Sequence, residues 1–151
     1  MKLAEALIQR ADAQKRIEQL KQRIVRNARV EEGEAPAENP LVLIEELERI
    51  AATLADLIKR INRTNSQTGV GEGKTLSDAL ADRDVLLVRR AAYDGLAQAA
   101  SVTQDRYMRS ELKFKATVAV GEMQSEADDL ARQHRELDAR IQETNWNTEL
   151  L

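Results

Sequence analysis

The residues of this chain that are best suited to chemistry are one histidine, a group of carboxylates and a glycine-rich stretch. His134 is the only histidine among 151 residues, and cysteine is absent. One imidazole needs further ligands to hold a metal ion, or a nucleophile beside it to act as a general base. On a helix its only carboxylate neighbour one turn away is Asp138, and the nearest serine is Ser125. We therefore predict no metal, no bound cofactor and no catalytic residue, and we expect His134 to fix the register of two packed helices.

A cluster of acidic residues precedes His134. Glu122, Glu126 and Asp129 share one face of a helix, because residues three or four apart are neighbours there. Grouped carboxylates are ligands that a divalent cation prefers, yet the same pattern is typical of a solvated helix face. We interpret the cluster, which Asp128 completes, as a solvated face.

The stretch TGVGEGKT, from Thr68 to Thr75, is similar to a phosphate-binding loop. That motif has glycine at the position that Thr68 occupies, because the backbone there curls around phosphate, and it follows a strand. A helix is predicted before the stretch in this chain. The sequence therefore favours a glycine turn over a nucleotide site.

Composition indicates helices packed side by side. Only 3% of the residues are aromatic, which leaves leucine, isoleucine, valine and alanine to form the core. A chain of this length suits one domain, and we predict a single helical domain over 1–151. No apolar run approaches the roughly 18 residues of a membrane-spanning helix, and Glu5, Arg10 and Asp12 interrupt the first segment. We expect a cytoplasmic protein.

Two segments place residues at alternating spacings of three and four, the pattern of helices that pack lengthwise. The first segment, about 2–29, has Leu3, Ala6, Arg10, Ala13, Ile17, Leu20 and Ile24 at these positions. The last, about 121–145, has Val120, Met123, Ala127, Leu130, His134, Leu137, Ile141 and Thr144. Asn39 and Pro40 are typical of a helix start, which predicts a second helix to about residue 62 and a helical hairpin over 2–62.

The third predicted helix, 76–100, follows a loop over 65–75 and has a high apolar content. This content predicts the most enclosed helix of the protein, with Gly95 permitting close contact. Between this helix and the last, apolar side chains recur at every second position from Leu112 to Val120, which predicts a strand over about 110–120. A strand needs a hydrogen-bonding partner, and either residues 67–75 or the same strand of a second copy would serve.

These elements define a predicted fold class: mainly α, an elongated four-helix antiparallel bundle of coiled-coil hairpins with one short β element at about 110–120. Charge is unevenly distributed over it. Residues 1–30 carry eight basic and three acidic side chains, whereas residues 121–151 carry three basic and eight acidic ones. A basic helix can bind nucleic acid or anionic lipid, or it can lie beside the acidic last helix of the same chain or of a neighbouring one. We favour the second interpretation and expect neither a nucleic acid nor a membrane partner.

Five blocks of the sequence resemble a family of small, functionally uncharacterised bacterial helical proteins that carry the name septicolysin. The blocks are KLAEALIQRADAQKRIEQLK, LIKRINRTN, TLSDALADRDVL, RSELKF and RELDARIQETNW. The resemblance covers essentially the whole chain and implies a mainly helical protein of about this size. The family name implies a pore-forming cytolysin.

Two functions from different classes follow from these observations. The first is a cytoplasmic, self-assembling structural or protein-interaction protein without enzyme activity, and we expect a homo-oligomer. The alternative is a pore-forming or membrane-perturbing cytolysin, as the resemblance implies. The candidate interface residues are Leu112, Phe114, Val118, Leu130, His134, Leu137, Ile141 and Trp146. An enzyme would need a site formed between subunits, and the candidate polar residues for it are Asn62, Asn65, Arg83, Asp84, Arg109, Glu111, Asp138 and Asn145.

Overall fold

The computed structural model of the protein describes residues 1–101 and 113–151. In these residues the chain forms four helices and one small antiparallel sheet of two strands. The elements are α1 (Leu3–Arg26), α2 (Pro40–Gln67), β1 (Gly69–Gly71), β2 (Lys74–Thr75), α3 (Leu76–Ala100) and α4 (Val120–Asn147). This confirms the predicted class, a mainly helical protein of the bundle type with one short β element.

The chain divides into two compact units. The first unit comprises Met1–Thr75 and Glu143–Leu151, and the second comprises Leu76–Gln142. The prediction that residues 1–151 form one domain stays a prediction. Among the helices that the structure describes, none combines the length with the apolarity that crossing a lipid bilayer requires.

The first unit contains the predicted hairpin of α1 and α2. Pro40 is the first residue of α2, and the side chain of Asn39 caps the helix by accepting the backbone N–H of Leu41 at 3.0 Å. Every residue that the periodicity placed on the packed face of α1 is buried or half-buried. The prediction placed the end of α2 near residue 62, and the helix in fact continues to Gln67 because no glycine interrupts it before Gly69.

The chain ends of the first unit are held together by main-chain hydrogen bonds that the sequence pattern did not predict. Residues 1–3 and 148–150 form an antiparallel bridge with two bonds of 2.9 Å. Leu151 donates its backbone N–H to the hydroxyl of Thr64 at 3.0 Å, and Arg60 donates to the Leu151 carbonyl at 2.9 Å. Thr64 is fully buried, so this hydroxyl needs the partners that the last residues and the helix give it.

The glycine-rich stretch forms a hairpin with a turn of two residues. Glu72 and Gly73, between β1 and β2, have φ angles of 54° and 72°. Positive φ at both central residues defines the turn that matches the twist of paired strands. Gly73 adopts this backbone without strain, whereas the side chain of Glu72 makes the left-handed backbone conformation sterically unfavourable.

Replacing Glu72 with Asn is therefore expected to stabilise the protein by about 0.5 kcal/mol. Asparagine tolerates positive φ better than glutamate, and Asn-Gly is the preferred pair for this turn. The urea midpoint measures the effect. The same exchange at Glu31, an exposed residue with negative φ, is the control and should change the midpoint little. A lower midpoint for Glu72→Asn would contradict the turn geometry.

The strand predicted at 110–120 is wrong for its described part. Residues 113–119 contain no strand, and α4 already begins at Val120. Residues 110–112 lie outside the described residues. A strand needs a hydrogen-bonding partner, and the stretch 67–75 was one candidate. This stretch instead forms β1 and β2, which pair with each other, so its backbone groups are used within the hairpin.

Candidate interaction surface

The second unit is built from α3 and most of α4, which run antiparallel. Arg83 on α3 donates from Nη1 to Oδ1 of Asp138 on α4 at 2.8 Å. Both were among the polar residues that the sequence singled out. Near the other end, Ala97 and Gln98 lie opposite Val120 and Gln124. The Arg83–Asp138 pair is half-buried and fixes the register of the two helices.

The inner face of α3 is the side that this packing covers. The buried residues of α3 are Leu76, Ala79, Leu86 and Ala97, and half-buried residues lie between them. They recur at helical spacing along one side of the helix, the same side as Arg83. The inner face therefore accounts for only half of the apolar content of α3.

The opposite side of α3 carries a second apolar row, which we call the outer seam. It consists of Ala81, Val85, Val88, Ala92, Gly95 and Ala99. The spacings are four, three, four, three and four, those of the a and d positions of a heptad. Every residue of the outer seam is exposed, Val85 by 54% and Val88 by 71%. The prediction that α3 is the most enclosed helix is therefore wrong for this half of its surface.

The residues that flank the outer seam are exposed as well. One flank carries Asp82, Arg89 and Leu96, the other Asp84, and Leu96 is 41% exposed. A Cβ built on Gly95 would meet no atom within 4 Å. Small residues along the seam would let the backbone of another helix approach closely. The outer side of α3 thus has the pattern of one half of a helix pair: an apolar row between charges of both signs.

The structure separates the predicted interface residues into different environments. Phe114 is 70% exposed and Val118 is half-buried, both in the segment before α4, whereas Leu112 lies outside the described residues. Trp146, at the end of α4, is 54% exposed. Phe114 and Val118 belong to the second unit, and Trp146 belongs to the first.

The other four predicted interface residues lie on the packed face of α4. Leu130 and Ile141 are each 1% exposed, and His134 and Leu137 are half-buried. All the positions of the predicted three–four pattern in α4 are buried or half-buried, so the periodicity identified the packed face correctly. Their assignment to an interface between subunits stays a prediction.

Two residues of the acidic cluster of α4, Asp128 and Asp129, accept hydrogen bonds from side chains of the same helix. Arg132 donates to Oδ1 of Asp129 at 2.5 Å, and Gln133 donates to Oδ2 at 2.6 Å. The hydrogen bond from Arg132 is the main reason that the pKa of Asp129 lies below its usual value. Across residues 1–101 and 113–151, no three His, Asp or Glu side chains are grouped so that they would hold a metal ion.

The basic side chains of α1 pair with carboxylates of the first unit. Arg16 donates to Glu46 of α2 at 2.6 Å, and Arg23 binds Glu38 through two hydrogen bonds. These hydrogen bonds are the main reason that the pKa values of Glu46 and Glu38 are lowered. The prediction placed the basic helix beside the acidic last helix. Arg16 and Arg23 instead pair with α2 and with the segment before it.

The Arg16–Glu46 pair makes a testable contribution to acid stability. Because the folded-state pKa of Glu46 is lowered, its stabilisation is complete above the unfolded value of about 4.3 and is lost as the pH falls through the folded value. We expect Glu46→Gln to lower the urea midpoint slightly at pH 7. The difference from the unmodified protein should disappear in strong acid. Glu48→Gln, at an exposed position of the same helix, is the control, and an equal effect there would contradict the assignment.

A shallow depression lies where α3 ends and α4 begins. Its volume is about 410 Å³, and its described lining residues are Asp94, Ala97, Gln98, Ser101, Val120 and Gln124. Asp94 is the one titratable group in this lining, and Arg90 lies 3.4 Å from its carboxylate. The described lining therefore contains no pair of an acid and a base for catalysis.

The fold and its surfaces define a class: a small protein of helical hairpins with an exposed apolar face on α3. A family of unknown function, DUF6847, matches residues 10–150, and the chain belongs to this family. The crystal structure of a functionally unknown conserved protein from Corynebacterium diphtheriae is similar, with 49% sequence identity and a TM-score of 0.95. The match covers 100% of this chain and 99% of that protein. No curated protein matches the sequence.

These comparisons correct the resemblance stated above. The family that matches is one of unknown function, and neither its description nor that of the similar structure carries the name septicolysin. The quoted blocks were specific to a family, but the name attached to them was wrong. The cytolysin function rested on that name and has lost its basis.

Proposed function

We propose that this protein is a non-enzymatic, self-associating protein whose function depends on contact between copies through the outer seam of α3. The single observation that carries the proposal is the exposed apolar row on a helix whose other face is already buried. Exposed apolar side chains occur singly on most proteins, whereas a continuous row at heptad spacing is typical of a helix that pairs. No cofactor belongs to the proposal.

The charges and composition support the choice of partner class. Arg16 and Arg23, which belong to the most basic segment, are engaged with Glu46 and Glu38, so they are less available to phosphate groups. We therefore include no nucleic acid or membrane partner. We propose a cytoplasmic location, because a chain without cysteine has no disulfide that the reducing cytoplasm would break.

Static light scattering after size-exclusion chromatography tests the proposal. The chain mass is 17.0 kDa, and we expect the weight-average mass to rise toward at least twice that value as the concentration rises. The outer seam is one helix long and lies at the small end of specific interfaces, so we expect dissociation at roughly micromolar concentration. A mass that stays at one chain up to the solubility limit would overturn the proposal.

A further inference from the structure

We infer that two copies pair through α3 in antiparallel orientation, with Val85 of each copy packed against Val88 of the other. The inference rests on the proposed function, because it gives self-association a defined partner and geometry. The occupant of the outer seam is thus a second copy of the same helix. Three features of α3 lead to this geometry: the sizes of the seam residues, the flanking charges and the position of Asp78.

The sizes of the seam residues match in this register. When helices pair antiparallel through a heptad seam, an a residue of one lies beside a d residue of the other. Pairing Val85 with Val88 also pairs Ala81 with Ala92, so valine meets valine and alanine meets alanine on both sides of the two-fold axis. A shift of one heptad toward the C-terminus would instead place Val85 against Gly95 and leave unfilled space.

The flanking charges select the same register. On one flank of the antiparallel pair, Asp82 of each copy lies beside Arg89 of the other, which gives two ion pairs related by symmetry. One heptad toward the C-terminus, Arg89 would lie beside Arg89. One heptad toward the N-terminus, Asp82 would lie beside Asp82. Like charges in these positions destabilise both alternatives, so the charges act as a register device.

Parallel pairing is disfavoured by Asp78, the a position that precedes Ala81. In a parallel pair Asp84 would lie near Arg89 of the second copy, so ion pairs would form along the flanks there too. The two Asp78 carboxylates would however share one layer of the seam, where like-charge repulsion opposes association. In the antiparallel pair Asp78 lies opposite Gly95, so the two Asp78 carboxylates are in different layers of the seam and far apart.

Cysteine cross-linking tests this geometry directly, because the chain has no cysteine of its own. Ala81→Cys and Ala92→Cys are both at exposed positions and should fold normally. A mixture of the two variants, one of them extended by a tag, should form a disulfide between unlike chains. Either variant alone should not, because its own sulfur atoms would lie about 16 Å apart along the helix axis, beyond the reach of a disulfide.

The outcomes separate the register from the proposed function. A disulfide in Ala81→Cys alone would overturn the antiparallel orientation, and one between Ala81→Cys and Ala99→Cys would overturn the register. Failure of every cysteine pair while light scattering gives a dimer would overturn pairing through α3. A single-chain mass at all concentrations would overturn self-association itself. Each failure is therefore attributable to one statement.

Charge reversal supplies a second, independent measurement. Asp82→Arg or Arg89→Asp alone should weaken the dimer by about tenfold, because two attractive pairs become repulsive. The double variant should return to within about threefold of the original affinity. Circular dichroism of each variant monitors the helices. Equal weakening by the double variant and by the single variants would overturn the pairing of Asp82 with Arg89.

Discussion

The double substitution Val85→Glu and Val88→Glu is expected to abolish self-association. Both side chains are more than half exposed in one chain, so folding gains little from them. Burial of a valine between two copies would contribute about 1.5–3 kcal/mol, and glutamate would place an unpaired charge there instead. A loss of about 3 kcal/mol corresponds to more than a hundredfold weaker association. Light scattering at matched concentrations measures the change.

The matched control for this prediction is Leu87→Glu. Leu87 is 45% exposed on the same turn of α3 but lies outside the a and d positions of the outer seam. It adds one glutamate to the same helix, where the double variant adds two, so it reports the effect of a single added charge on helix stability. If Leu87→Glu dissociates the protein as strongly as the double variant, the effect is not specific to the outer seam and the interface lies elsewhere.

The helices that pack within the chain were predictable from sequence, because their periodicity reports burial against a neighbour. Leu20 in α1 and Leu130 in α4 are buried as the three–four pattern required. The pair Asn39 and Pro40 set the start of α2 to the residue, since a capping side chain and a ring that fixes φ both act locally. Local chemistry and simple periodicity thus account for most of the fold.

The features that depend on distant partners were not predictable in the same way. The alternation of Phe114, Ala116 and Val118 satisfies a strand pattern, but a strand also needs a free edge, and the sequence does not reveal that the hairpin at Glu72 closes on itself. The bridge between the two chain ends has no sequence signal at all, because it is made by main-chain groups of residues 1–3 and 148–150.

The outer seam shows what sequence reasoning reached and what it missed. The apolar content of α3 was recognised and was interpreted as enclosure within one chain. Composition counts apolar residues on both sides of a helix, whereas the fold covers only the side of Leu86 and leaves the side of Val88 exposed. The missing signal was the heptad spacing from Ala81 to Ala99, which continues without a break on the face opposite Arg83. A helix whose second apolar face is exposed has that face available for association.

Leu130→Ala is the substitution for which we expect the largest loss of folding stability. Leu130 is 1% exposed on the packed face of α4, and the methyl groups it would lose cannot be replaced by water. A buried leucine shortened to alanine destabilises a protein by about 3 kcal/mol, through lost apolar burial and the cavity left behind. Urea unfolding at a concentration below the dissociation range measures the change without a contribution from self-association.

The control is Leu87→Ala, which removes the same atoms at a position that is 45% exposed and should cost well under half as much. The prediction that Leu130 contacts a second subunit stays a prediction, and its burial in one chain supports its separate assignment to folding. Loss of association with an unchanged urea midpoint would contradict that assignment. A lowered midpoint with the monomer still folded would show that α4 stabilises the unit on which α3 displays the outer seam.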